Sequence, residues 1–380
     1  MTIDSNKQAA EADLGVHVGG VTPAEVQGGD LTKVPMWKIR WRLLKRSAGT
    51  TWGLFSENKM GVFGLSLIGL FAVMAIIHPI LMSTVWDPRV YDPVDGYDAV
   101  MTEYTVIEGE PAEGTFEISL NEARIRLNPT IKVGESVSIP TQPAPPTLTG
   151  ETPHYLGTDS RGRDILSQLL FSTRAAFFLG AVAAITTVLI ATTVGAIAAY
   201  FGGWIDGSLM RFADLILLMP LLPVLILLSA MLEITMVTLG IMIGVLSGFG
   251  GVAIVLKSQA LAVKVKSYID AARVAGGSDW HVIFRHIVPN VLPLSFLFMM
   301  FGVTEAIAIE STLSFFGLLN VDMTWGLMIE GARTNGYLLS GTSYWWLLFP
   351  AGLAVSFLCF AFFLVGRGMD EVINPRLRAR

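Results

Sequence analysis

The sequence predicts an all-α polytopic membrane protein with six transmembrane helices and a small β-rich extracytoplasmic insert. Of its 380 residues, 52% are hydrophobic and only 15% are charged, whereas a soluble domain carries about a quarter charged residues. The apolar residues cluster in stretches long enough to cross a bilayer, which takes about 20 residues. The only cysteine, Cys359, excludes an intrachain disulfide, so we expect packing and hydrogen bonds to hold every segment.

Six apolar stretches meet the length of a membrane crossing. They are Met60–Met82, Ala175–Trp204, Phe212–Leu232, Ile234–Leu256, Val291–Leu319 and Tyr344–Gly366. The third and fourth share so short a connection, around Glu233, that we expect a tight hairpin. Prolines within several stretches predict kinks, because proline leaves a helical carbonyl without its donor.

The basic residues predict that both termini lie in the cytoplasm. Six lysines and arginines, and no acidic residue, occur between Lys33 and Arg46, and such basic flanks stay on the cytoplasmic side. The segment after the fourth span and the C-terminal tail are also basic, which agrees with six crossings. We expect no secretory signal peptide.

The chain is predicted to divide into five regions. They are the cytoplasmic tail and basic juxtamembrane segment 1–55, the first transmembrane helix 56–84, the insert 85–157, the core 158–366 with the cytoplasmic loop 257–290, and the C-terminal tail 367–380.

The insert is expected to be acidic and rich in β-strand. Residues 87–157 hold twelve acidic and four basic residues. Residues 115–140 alternate apolar and polar side chains between turn residues, which predicts a few short strands. The proline-rich segment 141–151 predicts an extended linker. A region of about 70 residues without disulfides is near the lower size limit for independent folding, so we expect the insert to rest on the helices or on a partner.

Several functional classes are disfavoured by what the sequence lacks. There is no G-x-x-x-x-G-K-[ST] motif, so we do not expect the chain to hydrolyse ATP, and we assign no catalytic residue. His281 and His286 are five residues apart, whereas two ligands on one helical face are three or four apart, so no metal site is predicted. Ion-coupled carriers depend on ionisable side chains deep in the spans, and here these are mainly Glu305 and Glu310.

The polar stretch between the fourth and fifth spans predicts a protruding amphipathic helix. It reads YIDAARVAGGSDWHVIFRHIVPN, from Tyr268 to Asn290. Its adjacent alanines let a groove approach the backbone closely, and its adjacent glycines permit a turn at positive φ. Ser278 or Asp279 can then cap the helix leading into the fifth span. The periodicity alone fits equally well a helix that merely anchors the loop at the membrane interface.

The order of residues in this stretch resembles the EAA loop of ATP-binding-cassette importer permeases. That loop reads Glu-Ala-Ala, three residues, Gly, and a stretch ending in Arg-His-x-x-Pro-Asn; Asp270 stands at the glutamate position. Further stretches are similar to the second, C-type permease subunit of the oligopeptide, dipeptide and nickel family. They are HYLGTDSRGRDILSQLLFSTRAAFFLG at 154–180, ESTLSFFGLL at 310–319, WG at 325–326 and VGRGMDEVINPRLR at 365–378. Arg367, Asp370 and Asn374 depart from that pattern and receive no role.

The resemblance implies that the loop is a coupling helix that docks into a cleft of an ATPase subunit. The residues assigned to ATPase coupling are Tyr268, Asp270, Ala271, Ala272, Gly276, Gly277, Arg285, His286 and Pro289. The implied partners are a homologous second permease, two ATP-binding subunits that hold ATP and Mg, and an extracytoplasmic solute-binding protein. The chain is then a permease without a cofactor of its own and without a nucleic-acid partner, in the lipid of a bacterial or archaeal plasma membrane.

Several alternatives stay open at this point. Peptides are the expected substrate, with oligosaccharides or nickel chelates as alternatives in the same family. Glu305 and Glu310 are candidates for facing the pathway or the partner permease, although a hydrogen-bonded contact between helices explains them as well. The insert either contacts the solute-binding protein or is a neutral elaboration. A stand-alone secondary carrier, which needs deep ionisable residues or paired inverted repeats of broken helices, and a membrane-anchored adhesion protein are less favoured.

Overall fold

A computed structural model describes residues 49, 52–98, 101–112, 115–140, 142–148 and 152–373 of the chain. Most of the predicted tail 1–55, with its basic run, and the end of the predicted tail 367–380 lie outside the described residues. The chain separates into two units, 1–58 and 59–380. The described part of the first unit contains a short helical turn at residues 52–56. The second unit holds the elements that follow.

The second unit is mainly helical. Its described α-helices are α1 (Lys59–Thr84), α2 (Pro88–Tyr91), α3 (Leu120–Arg126), α4 (Ile165–Phe201), α5 (Gly203–Leu218), α6 (Leu221–Met231), α7 (Met236–Phe249), α8 (Gly251–Lys264), α9 (Ser267–Val274), α10 (Asp279–Val282), α11 (Val288–Phe315), α12 (Trp325–Thr334) and α13 (Trp345–Ile373). A π-helical segment, Ile283–Ile287, joins α10 to α11 without a break, and a short 3-10 turn, Tyr337–Leu339, precedes α13.

The helices long and apolar enough to cross a membrane confirm the predicted class. Four are continuous, namely α1, α4, α13 and the run Asp279–Phe315 that includes α10 and α11. Two more crossings are bent pairs, in which α5 and α6 meet at 81° and α7 and α8 meet at 48°. By length and composition, the described residues therefore provide up to six spans.

The third and fourth spans are broken, although the sequence predicts one helix over Phe212–Leu232 and one over Ile234–Leu256. In a continuous helix the carbonyl of Ile216 would accept from residue 220, but Pro220 has no N–H. That carbonyl accepts instead from the N–H of Met219, at 3.1 Å, and the chain turns. The fourth span breaks at Gly250, the residue between α7 and α8.

The second and fifth spans begin earlier than the apolar runs predict, because polar caps extend the helices. Asp164 precedes α4, and its carboxylate accepts the N–H of Ser167 at 2.7 Å. Ser278 precedes α10 in the same way, with its hydroxyl accepting the N–H of His281 at 3.3 Å. Such caps satisfy backbone donors that have no partner within the helix. Both helices thus continue beyond their apolar segments.

The 37-residue helix α4 is the element around which the other spans pack, since it contacts α1, α7, α8 and α11. Small side chains make the closest of these contacts. A Cβ atom added at Gly195 would lie 2.8 Å from the backbone nitrogen of Lys257 and 3.0 Å from the carbonyl oxygen of Ala253 in α8. Membrane helices approach one another closely where such small residues face each other.

The predicted insert contains a small sheet. Its strands are β1 (Met101–Ile107), β2 (Glu117–Ser119) and β3 (Ser136–Pro140), in the spatial order β2-β1-β3. Strand β1 runs parallel to β2 and antiparallel to β3. Val106 of β1 and Ile118 of β2 belong to a small apolar core that the sheet forms with α3.

Residues 115–140 contain two short strands, β2 and β3, as the alternation predicts, but Leu120–Arg126 between them form the helix α3. Ser119 caps this helix, and its hydroxyl accepts the N–H of Glu122 at 3.2 Å. The cap and the helix-forming residues that follow it outweigh the apolar–polar alternation. Strand β1 lies before the range in which strands are predicted.

The proline-rich segment 141–151, predicted to be an extended linker, packs on the helical core where the structure describes it, over 142–148. Ala144 is fully buried. Its N–H donates to the hydroxyl of Thr158 at 2.8 Å, and its carbonyl accepts the N–H of Thr158 at 2.9 Å. The insert therefore rests on the residues that lead into α4. The division of the chain into regions otherwise stays a prediction.

Replacing Gly195 by alanine is expected to destabilise the protein, because the new methyl group meets the backbone of α8. Overpacking of this kind costs about 1–3 kcal/mol. The matched control is Gly69→Ala in α1, where an added Cβ has nothing within 4 Å and alanine favours the helix. Thermal unfolding in detergent should show a lower Tm for Gly195→Ala alone, and equal values for the two variants would contradict this packing.

Candidate functional site

The loop between the fourth and fifth spans forms a helix, a turn and a second helix at one end of α4. The first of these helices, α9, has Ile269 fully buried in the helical core, while Val274 on its other side is 90% exposed. Gly276 then takes a φ of +81°, a conformation that suits glycine. Ser278 begins the second helix, α10. One face of α9 is thus anchored and the other is free to contact a partner.

Polar contacts tie this loop to the end of α4. The hydroxyl of Tyr200 donates to the carboxylate of Asp279 at 2.6 Å. The guanidinium of Arg273 lies over the ring of Tyr200, 5.0 Å from its centroid, within the range of a cation–π contact. The ammonium of Lys264 donates to the carbonyl of Ala199 at 2.9 Å. The residues before, within and after α9 are therefore held to the same helix end.

The loop is also continuous with α11. After α10 the chain passes through the π-helical segment Ile283–Ile287, and such segments are frequent at functional sites. Pro289 stands in the first turn of α11, and its ring fixes φ near the helical value. The amide of Asn290 donates to the carbonyl of His286 at 2.7 Å. Because no flexible connection intervenes, a movement of α10 moves α11.

The residues predicted for coupling all lie on this loop. The exposed ones are Tyr268, Asp270, Ala271, Gly276, Arg285 and Pro289, and the partly buried ones are Ala272, Gly277 and His286. Asp270 pairs with Arg273 at 3.4 Å, and the rings of Tyr268 and His286 lie 6.5 Å apart. The role of these residues in coupling stays a prediction.

The sequence analysis missed the exposed apolar side chains of the loop. Besides Val274, the rings of Trp280 and Phe284 are about half exposed and stack on each other with centroids 5.8 Å apart. The two rings form an exposed apolar patch next to α9. The four-residue spacing of Trp280 and Phe284, which puts both on one helical face, is the signal that would have found this pair.

The two candidate carboxylates of α11 have different surroundings. Glu310 is only 3% exposed and accepts hydrogen bonds from the hydroxyls of Ser314 at 2.6 Å and Ser311 at 3.4 Å. This enclosure supports a structural role. Glu305 is exposed, accepts from the hydroxyl of Ser247 at 3.2 Å, and lines a cavity of about 390 Å³ between the two bent spans. A pathway role for either stays a prediction.

A buried polar cluster at the opposite end of α4 was not predicted. The imidazole of His154 is fully buried, and its two nitrogens lie 2.8 Å from the carboxylate of Asp164 and 3.1 Å from that of Asp98. Thr152 also donates to Asp98, while Asp164 caps α4. The cluster therefore links the insert to the start of the long helix. The stretch at 154–180 contains His154 and Asp164, but the sequence alone does not reveal their pairing with Asp98.

The cluster shifts the pKa of two side chains. Burial lowers the pKa of His154, but the hydrogen bonds and charges of Asp164 and Asp98 outweigh burial and raise that pKa above its ordinary value of 6.5. Burial, followed by the charges of the same two carboxylates, raises the pKa of the neighbouring Tyr91 hydroxyl to about 12. The histidine is therefore favoured in its charged form, between two acids.

The sequence of the chain is similar to those of known transport proteins. Residues 191–379 match the family described as binding-protein-dependent transport system inner membrane component. This match contains the loop and the spans from the end of α4 onward.

Three relatives illustrate the similarity. The glutathione transport system permease protein of Pectobacterium atrosepticum is 31% identical over 60% of the chain and 74% of its own length. The dipeptide transport system permease protein of Bacillus subtilis is 32% identical over 59% and 69%. The oligopeptide transport system permease protein of Haemophilus influenzae is 33% identical over 62% and 74%.

The stability of the protein is expected to fall as pH rises through the raised pKa of His154. The stabilisation by its charged form is fully present below the unfolded value of 6.5 and is lost above the higher folded value. His154→Gln should lower the Tm at acidic pH and remove this fall. The control is His281→Gln, on the exposed loop, which should retain it. The same pH dependence in His154→Gln as in the wild type would contradict the assignment.

Proposed function

The chain belongs to the family of binding-protein-dependent transport system inner membrane components, and we propose that it imports di- and oligopeptides in an ATP-driven complex. It is a non-catalytic, multi-pass membrane subunit, the permease of an ATP-binding-cassette importer. The peptide class is supported by the three relatives described above, which are named for glutathione, dipeptide and oligopeptide transport. Oligosaccharides and nickel chelates are the alternatives.

The proposed complex contains a homologous second permease, two ATP-binding subunits that hold ATP and Mg, and a solute-binding protein. In this arrangement the end of α4 that contacts the loop faces the cytoplasm. The basic residues Lys257, Lys264 and Lys266, which precede α9, support this orientation. The insert then faces the extracytoplasmic side, where the solute-binding protein delivers its load. Both termini are cytoplasmic in a bacterial or archaeal plasma membrane.

The observation that carries the proposal is the anchored helix α9 with its free outer face. Its exposed Val274 and Asp270 offer an apolar and a charged group to an ATPase cleft. The Tyr200–Asp279 hydrogen bond leads from the loop to α4, and the continuous backbone leads to α11. In this proposal a movement of α9 is therefore transmitted to both α4 and α11.

Transport in this proposal is a shift between two populations, one open inward and one open outward. ATP binding closes the two ATPases, which changes what the outer face of α9 contacts. The shift can only be as large as the difference in interaction free energy between α9 and the two ATPase states. Because α4 and α11 carry the contacts to α1, α7 and α8, their reorientation changes the access to the pathway between the spans.

Asp270→Lys and Gly276→Val should each uncouple the complex. The first reverses the charge on the docking face, and the second forces a β-branched residue into a φ of +81°, which strains the turn. We expect peptide uptake by the reconstituted complex to fall by about tenfold or more, equivalent to at least about 1.4 kcal/mol of coupling. Uptake and ATP hydrolysis are measured together.

The matched control is Asp370→Lys, the same charge reversal at the end of α13, where Asp370 pairs with Arg367 at 3.8 Å. It should retain coupled uptake. Wild-type uptake and hydrolysis in both loop variants, with the subunits assembled, would refute the docking role of α9.

A further inference from the structure

We propose that the cavity between the two bent spans binds a primary ammonium group of the transported peptide through Glu305. The inference rests on the proposed import of peptides and adds a chemical basis for recognition within the membrane domain. The group is either the amino terminus, which ordinary linear peptides carry, or a lysine side chain.

The cavity lies where the two spans break. It has a volume of about 390 Å³, within the size range of small-molecule sites. Its walls include Ile216 and Met219, next to the 81° bend before Pro220, and Gly250, at the 48° bend of the fourth span.

The side chains of the walls are apolar apart from one carboxylate and one hydroxyl, those of Glu305 and Ser247. The apolar side chains include Leu217, Leu221, Val224, Leu246, Val255 and Phe298, and among the described lining residues Glu305 is the only charged one. A carboxylate within a membrane-spanning helix has a high free-energy cost unless it meets a cation or water. Its Oε2 atom accepts from the hydroxyl of Ser247 at 3.2 Å, so Oε1 is open to a ligand. Glu310, by contrast, is enclosed by serine hydroxyls.

The composition of the site fits an ammonium group better than a divalent metal ion. A calcium ion takes about six to eight oxygen ligands, far more than one carboxylate and one hydroxyl supply. An ammonium group needs few acceptors, since it donates only three hydrogen bonds, and both Glu305 and Ser247 can accept. The apolar walls then accommodate the side chain next to a peptide amino terminus. One carboxylate amid apolar walls thus fits a cation with an apolar neighbour.

The test uses the full complex in proteoliposomes with three peptides of one parent sequence. One has a free amino terminus and no lysine, one is N-acetylated without lysine, and one is N-acetylated with a single lysine. Loading of the solute-binding protein is measured first, and initial uptake is expressed per loaded binding protein. The proposal predicts faster wild-type uptake of a peptide with an ammonium group than of the peptide without one.

Glu305→Gln keeps an acceptor for Ser247 and removes the charge. It should lower uptake of the ammonium-bearing peptide about tenfold, as expected for the loss of a charge-assisted contact of 1.4 kcal/mol or more, to the rate of the fully neutral peptide. Whether the free amino terminus or the lysine responds identifies the source of the ammonium. Glu305→Asp should recover part of the rate. The matched control is Glu233→Gln in the exposed connection between α6 and α7, which should behave as the wild type.

The remaining outcomes overturn the inference in distinguishable ways. Equal uptake of charged and neutral peptides by the wild type would refute the ammonium site while peptide import stands. Uptake of the ammonium-bearing peptide by Glu305→Gln at the wild-type rate would refute it in the same way. Loss of the second permease from purified Glu305→Gln complexes would show that Glu305 pairs with a partner residue instead. Uptake of another solute class and of no peptide by the wild type would refute both proposals.

Discussion

The close packing of one continuous helix, α4, constrains the rest of the structure. Its 37 residues reach from the buried His154–Asp164 pair at one end to the Tyr200–Asp279 hydrogen bond at the other. Between these ends, small residues such as Gly195 let α8 approach so closely that even one added methyl group would meet backbone atoms. Close packing of this kind resists bending, which supports the proposal that α4 transmits a movement from one end to the other.

The bent spans provide the complementary property. Whereas α4 is continuous, the third and fourth spans break at Pro220 and Gly250, and a cavity lies between them beside Glu305. Irregular backbone at this depth is tolerated where it is buried in protein or lines a water-filled space. In the proposed mechanism the continuous helices α4 and α11 carry the movement of the loop. The broken helices line the space that changes with it.

The sequence suffices for features that depend on local composition. The apolar runs are long enough to predict the spans, and Gly276 marks the turn after α9 because its φ of +81° requires glycine. Features that depend on distant contacts could not be predicted. His154 meets Asp98 across 56 positions, and only the fold brings them together. Leu120–Arg126 form a helix because of the Ser119 cap, although the alternation of side chains predicts a strand. Proline predicts a kink at Pro220, but the residue alone does not give the 81° angle.

The proposed coupling depends most directly on contact between an ATP-binding subunit and the free face of α9. A photoreactive amino acid in place of Val274, which is 90% exposed, would test this in the assembled, transporting complex. The same probe in place of Leu339, which is 92% exposed before α13, serves as the control. We predict a covalent link to an ATP-binding subunit from position 274 alone, with a yield that changes when ATP is added. No link from position 274 in a complex that imports its solute would contradict the account.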